Sequence, residues 1–199
     1  MIRKRKSTIV RKKQIIDAAR KLIVKHGSEH ITVRGIAKEV KISEAAIYRH
    51  FKSKREILSF LANNITDSLL EDINRLADEK LTSLEAINDI LEGHLSSIEQ
   101  RRGMSFQVIA EIISFGDKKL NKKVSSAIDE YIAGLQNLLS VGVKAGQIKQ
   151  GTDTEAVAIL LFGMIQGLVN IWALGNYSFD LQEKYSQLWK VLRDSIIKR

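Results

Sequence analysis

Apolar residues recur along this chain at intervals of three and four and nowhere alternate with polar ones over the length of a strand, so the pattern predicts an all-α fold. A basic opening, IRKRKSTIVRKK, leads into a helix from near Thr8 or Ile9, with Ile15, Ile16, Ala19, Leu22 and Ile23 facing inward and Gly27 closing it. Thr32–Val40 and Ser43–His50 follow as two short helices. Ser53-Lys-Arg-Glu56 is a capping box that opens a long helix through Leu58, Leu61, Ile65, Leu69 and Ile73 to about Asp78. A second box, Thr82-Ser-Leu-Glu85, starts a helix that runs to about Gln100. Met104–Phe115 stops at Gly116, and a long helix from about Lys118 to Ala145 stops at Gly146. A third box, Thr152-Asp-Thr-Glu155, starts an apolar helix to about Leu174, which Gly175-Asn176 breaks. Asp180 begins the last helix, to Ile197, for about nine in all.

Residues 156–174, AVAILLFGMIQGLVNIWAL, are apolar nearly all round and long enough to span a membrane. Gln166 and Asn170 interrupt the run and no basic cluster flanks it, so it reads as a helix buried on two sides. The chain's own helices can cover one side; a second subunit is expected on the other. Gly163 and Gly167, four apart, either admit a close backbone approach or are merely tolerated. With Leu181, Tyr185, Leu188, Trp189, Leu192 and Ile196 at helical spacing, the last two helices predict a homodimer closed as a four-helix bundle.

The stretch TVRGIAKEVKISEAAIYRHFKSK, Thr32 to Lys54, carries the most chemistry. Val33, Ile36, Ala37 and Val40 give its first helix one apolar face, Ser43 caps the second, and Ala46, Ile47 and Phe51 turn inward from it. Glu44, Ala45, Tyr48, Arg49 and His50 are left on the exposed side, where a second helix of this length offers side chains to a DNA major groove. The charge agrees. Residues 1–55 carry 17 Lys/Arg against 4 Asp/Glu, a net of +13, whereas the remainder is −4 within a total of +9. A basic quarter on a mildly acidic body is the footprint of a polyanion-binding head.

Residues 11–58 resemble the DNA-binding domain of the TetR/AcrR family of bacterial one-component repressors. The resemblance runs through Ile15, Ala18, Ala19, Leu22, Gly27, Thr32, Ile36, Ala37, Ser43, Tyr48, His50, Phe51, Lys54 and Leu58. Two positions depart from the family pattern: Lys41 stands where the turn usually has glycine, and Ala45-Ala46 stand where Gly-Thr usually opens the recognition helix. Lys41 is therefore expected in a left-handed conformation or in an altered turn. The resemblance implies a three-helix helix-turn-helix domain over residues 1–53, with the motif at about 32–51, and an effector-binding and dimerisation domain over 54–199. It also implies phosphate contacts from Tyr48, His50 and Lys54, with Thr32, Ser43 and Ala45 at the DNA face. Arg34, Glu44 and Arg49 are the candidates for reading bases, arginine by forking onto guanine and glutamate by accepting from cytosine. Glu44 has a plainer alternative, a charge that suits the helix dipole.

Other chemistry finds little support. With no cysteine there is no disulfide, thiolate metal site or thiol nucleophile, and the four histidines, His26, His30, His50 and His94, show no metal-ligand spacing. No catalytic dyad or phosphate-cradling loop can be assembled, so neither an enzyme nor a cofactor is expected. The basic N-terminus leads into no apolar segment, which points to the bacterial cytosol and the nucleoid. His94 falls on a helix face with Leu91 and Ile98, and Glu111 lies in the apolar run QVIAEIISF; either is a cavity-lining residue or ordinary core. By resemblance, a small-molecule pocket is expected among His94, Phe106, Gln107, Tyr131, Phe162 and Gln166. The expected effector is hydrophobic and neutral or weakly charged, with a fatty-acid-like molecule second. Two functions follow: a homodimeric repressor released from its double-stranded DNA operator by such a ligand, or a ligand-independent accessory or nucleoid-associated protein with the same head.

Overall fold

The computed structural model describes residues 8–26, 32–76, 82–101 and 103–198. Among them are nine helices: α1 Thr8–His26, α2 Val33–Val40, α3 Glu44–Tyr48, α4 Lys54–Leu76, α5 Ser83–Gln100, α6 Met104–Phe115, α7 Lys118–Lys144, α8 Thr154–Leu174 and α9 Leu181–Ile196. The all-α reading holds, and most helix ends fall where the capping chemistry put them. Thr82 and Glu85 form the reciprocal box before α5, Thr82 Oγ1 accepting from Glu85 N at 3.3 Å and Glu85 Oε2 from Thr82 N at 3.0 Å. Asp180 caps α9 by accepting from Glu183 N at 2.9 Å. The expected box before α8 is corrected: Asp153 is the cap, accepting from Ala156 N at 3.0 Å, while the Thr152 hydroxyl donates backwards to Lys149 O at 2.8 Å. Gly27, the expected stop of α1, lies outside the described residues.

Packing divides the chain into two compact units, residues 1–65 with 104–124, and residues 66–103 with 125–199. The division cuts through α4 and α7. In the first unit α1 packs on α2 and α6, and α2 packs on α3. Its core is Ile15, Ala19, Ile23, Ile36, Ile47, Phe51, Leu58 and Leu61, all buried, with Phe51 edge-on to Phe60 at 6.0 Å. In the second unit α5 packs on α8 and α9, which also pack on each other. The end of α7 presses close to its surroundings: a Cβ at Gly142 would sit 2.8 Å from Ile148 and 3.2 Å from Ser83. The residues that follow clasp the C-terminal end through the antiparallel Ile148–Ile197 bridge.

Helix α8 is, among the described residues, the one helix long and apolar enough to cross a membrane, and a third of its most apolar window is buried. The buried face, Ala158, Leu161, Ile165, Leu168, Val169 and Trp172, belongs to the second unit's core. The exposed face carries a second stripe, apolar but for Asn170. Ala156, Leu160, Gly163, Gly167, Asn170 and Leu174 alternate at spacings of four and three, the pattern of a coiled-coil seam. On α9 the sequence expectation needs correction. Leu181, Tyr185, Trp189 and Ile196 face the unit's own core, because α5 and α8 already cover that side; Leu188 and Val191 are the exposed apolar positions.

Candidate nucleic-acid interface and effector site

The two short helices of the head are fixed at each end by side chain or backbone. Thr32 caps α2, its Oγ1 accepting from Gly35 N at 2.9 Å. Lys41 closes α2 in the left-handed region at φ 58, ψ 48, with Ile42 N bonded to Ala37 O at 3.0 Å and Lys41 N to Lys38 O at 3.1 Å. This is a Schellman closure made without glycine, so the strain expected from the sequence is present. Lys41→Gly is expected to stabilise the head by about 0.5–1 kcal/mol, read as a higher urea midpoint with an unchanged slope.

Ser43 caps α3, its Oγ accepting from Ala46 N at 3.2 Å. The recognition helix is shorter than the sequence suggests. Arg49 and His50 form a turn, since Ile47 O accepts from both His50 N at 2.8 Å and Phe51 N at 3.0 Å and tightens the chain. Ile47 and Phe51 are buried as expected, and the turn carries Phe51 back into the core. Thr32, Arg34, Ser43, Glu44, Ala45, Tyr48 and Arg49 are all exposed, Glu44 at the first turn of α3 where its charge suits the helix dipole. His50 is half-buried, and its Nδ1 is enclosed without a hydrogen-bond partner. Burial, then the charges of Arg11, Lys12 and Arg49, hold its pKa below the ordinary histidine value. The same three cations make the surroundings attractive to phosphate. Lys12 also lies over the Phe51 ring at 5.4 Å.

Lys54 is placed differently from its neighbours. Its ammonium is 2.5 Å from Glu111 Oε1 on α6. Glu111 thus faces the start of α4, where the sequence had left it as either a cavity-lining residue or ordinary core. Its position in an apolar run was a visible signal of burial; the partner lies on a helix more than fifty residues away and left no local trace. The Ser53 box is near to its expected form, with Ser53 Oγ accepting from Glu56 N at 3.3 Å but Glu56 Oε2 accepting from Lys52 N at 2.6 Å.

In the second unit three of the expected pocket residues come together. His94 and Tyr131 stack edge-on at 5.5 Å, Tyr131 and Phe162 at 6.0 Å, and Tyr131 Oη is 3.4 Å from His94 Nδ1. Dense surroundings, then the charge of Arg101, lower the His94 pKa from 6.5 to about 4, so the ring is neutral at physiological pH although part of its surface is accessible. Beside this group Tyr185 donates to Asn88 Oδ1 at 3.1 Å, a bond not anticipated from sequence. Burial, reinforced by Glu92, Tyr131 and Asp89, raises the Tyr185 pKa and keeps it a donor. Gln166 is half-buried on α8, and the side chains of Phe106 and Gln107 lie outside the described residues.

A capped helix pair whose exposed second helix runs into a turn with Arg49, and with Arg11 and Lys12 acting on the same turn, is a helix-turn-helix head, and with the helical body behind it in the chain it defines a DNA-binding transcriptional regulator. Residues 15–59 match the family model described as bacterial regulatory proteins, tetR family, and residues 63–195 match the one described as YsiA-like protein, C-terminal region. The chain belongs to the TetR family and is a DNA-binding transcriptional regulator.

It is 27% identical over 168 residues to the fatty acid metabolism regulator protein of Bacillus subtilis, covering 84% of this chain and 86% of that one. It is also 27% identical over 191 residues to the nucleoid occlusion factor SlmA of Vibrio atlanticus, covering 94% and 95%. The solved structure of the transcriptional regulator FadR from Bacillus subtilis in complex with stearoyl-CoA superposes with a TM-score of 0.74 at 26% identity, covering 90% and 96%.

Proposed function

We propose that the protein is a homodimeric repressor that leaves its operator when a long-chain acyl ligand, of the acyl-CoA class, occupies the helical body. The observation that carries this reading is the neutral His94–Tyr131–Phe162 group within that body, together with the stearoyl-CoA held by a structure 26% identical to this chain. A neutral imidazole and a phenol orient a polar group without demanding a counter-charge, and Arg101, whose charge already acts on His94, is suited to an anionic head. Residues 1–53 serve as the DNA-binding domain and 54–199 as the effector-binding and dimerisation domain. Tyr48, His50 and Lys54 touch phosphate and set affinity, with Thr32, Ser43 and Ala45 at the DNA face; Arg34, Glu44 and Arg49 read bases. The exposed stripes of α8 and α9 pack on their mates, burying on the order of 1,200–2,000 Å². The protein acts in the bacterial cytosol, at the nucleoid.

Stearoyl-CoA titrated onto the protein–operator complex is expected to weaken binding roughly 5- to 150-fold, the usual allosteric range, while free CoA has no effect. Failure of stearoyl-CoA, palmitoyl-CoA and stearate alike to shift the affinity would remove the effector reading. It would favour instead the ligand-independent accessory protein, whose support is the likeness to the SlmA factor over 94% of the chain. At the head, Tyr48→Phe is expected to weaken all sites about equally. Glu44→Ala should change the preferred base by roughly 1–3 kcal/mol, measured by competition among operator variants. An unchanged preference would leave Glu44 with its dipole role alone.

A further inference from the structure

Helix α4 opens just past the recognition turn, and both of its leading cations are held by carboxylates of the same unit. Lys54 Nζ lies 2.5 Å from Glu111 Oε1 on α6 and 5.8 Å from the centre of the Phe115 ring. Arg55 pairs with Asp117, which also caps α7 by accepting from Lys119 N at 2.9 Å and Leu120 N at 3.1 Å. A third link joins Lys123 to Asn63 two turns further along α4.

The two ion pairs differ in what each partner stands to lose. The Asp117 carboxylate is multiply bonded whether or not Arg55 stays. Glu111 is a side chain only 5% exposed, set in an apolar helix face, and a buried carboxylate is costly unless a cation answers it. Lys54, at 29% exposure, sits at the boundary between that carboxylate and solvent, on a flexible four-carbon stem. While it answers Glu111 its charge is neutralised, and it adds little to the head's attraction for phosphate.

We infer that Glu111 holds Lys54 in reserve: the ammonium serves either this carboxylate or a DNA phosphate, so that Glu111 is a positioning residue on α6 that lowers the resting DNA affinity of the head. The inference rests on the phosphate role of Lys54 proposed above. It makes the α6 carboxylate a competitor of DNA, where a purely structural ion pair would support the head and help it bind.

The test is a set of variants of the full chain, read by fluorescence anisotropy on a duplex that the protein has itself selected from a random pool. Glu111→Gln is expected to tighten binding roughly fivefold, and Lys54→Gln added to it to abolish the gain. Unchanged or weaker binding by Glu111→Gln, or a gain that persists without Lys54, overturns the inference. Equal losses from Lys54→Gln in both backgrounds would keep the phosphate contact and remove the reserve; no loss in either would remove the phosphate contact itself. Should Glu111→Gln not fold, Glu111→Asp retracts the carboxylate by one methylene and keeps its charge. A smaller gain that depends on Lys54 is then expected, and its absence in a variant of native helicity is equally decisive.

Discussion

Gly163→Leu or Gly167→Leu is expected to convert the protein to a monomer and to weaken operator binding roughly 10²- to 10⁴-fold, the avidity that two linked heads supply. The effect should arise entirely between subunits. A Cβ built at either glycine meets nothing within 4 Å, so the protomer has room for a larger side chain. Each substitution also improves helix propensity by about 1 kcal/mol. The variant should therefore stay a folded monomer of native helicity, melting below the wild type only by what the lost interface contributed, while its sedimentation coefficient falls. Both glycines lie in the exposed four-three stripe of α8, flanked by Leu160 and by Ile171 and Leu174, the last two 63% and 88% exposed. A leucine variant that remains dimeric at micromolar concentration would mean that the two subunits meet elsewhere and that these glycines are merely tolerated.

The second large effect is acid sensitivity of the helical body. His94 is held near pKa 4 in the folded protein, against 6.5 when free, because burial and then Arg101 oppose its charged form. Between those two values the unfolded chain takes up a proton that the folded chain refuses. The contribution is thus fully present above pH 6.5 and lost as the pH falls towards 4, by up to about 3 kcal/mol. Urea denaturation at pH 7 and pH 4.5 should show this loss in the wild type, and His94→Gln should remove most of the difference. If the variant kept the same pH dependence, carboxylates elsewhere would be its source, and the neutral imidazole would lose its support.

What the sequence made legible follows the range of the physics involved. Caps and turns are local: Thr82 with Glu85, Ser43, Asp180 and the left-handed Lys41 were all readable because the groups that satisfy one another lie within a few residues. The local reading slipped where two local solutions compete, as at Thr152, whose hydroxyl turns back to Lys149 and leaves the cap to Asp153. Periodicity found the apolar positions of α9 but could not divide them between the unit's own core and a partner, since both uses require the same spacing. Burial separates them: Tyr185 and Trp189 point into the unit and Leu188 away from it at 41% exposure, while Val191, the most exposed apolar position of α9, was not among those the spacing picked out. The Lys54–Glu111 pair was beyond local reasoning altogether, because an ion pair between distant helices depends on how those helices pack. For the effector site the stripes of α5, α7 and α8 were visible, yet only packing brings His94, Tyr131 and Phe162 into contact.

The central claim, that paired heads read a specific DNA sequence through α3 and its flanking turn, is tested most directly by selecting binding sites from a random pool of duplexes with the wild type and with Arg49→Ala. The expected result is an inverted repeat whose half-sites lie about 34–36 Å apart, one turn of B-DNA, or somewhat further. Arg49→Ala should relax the preference at one position in each half-site while leaving the spacing intact. Enrichment of no motif, or of a single unrepeated site that Arg49→Ala reads as well as the wild type, would contradict the account.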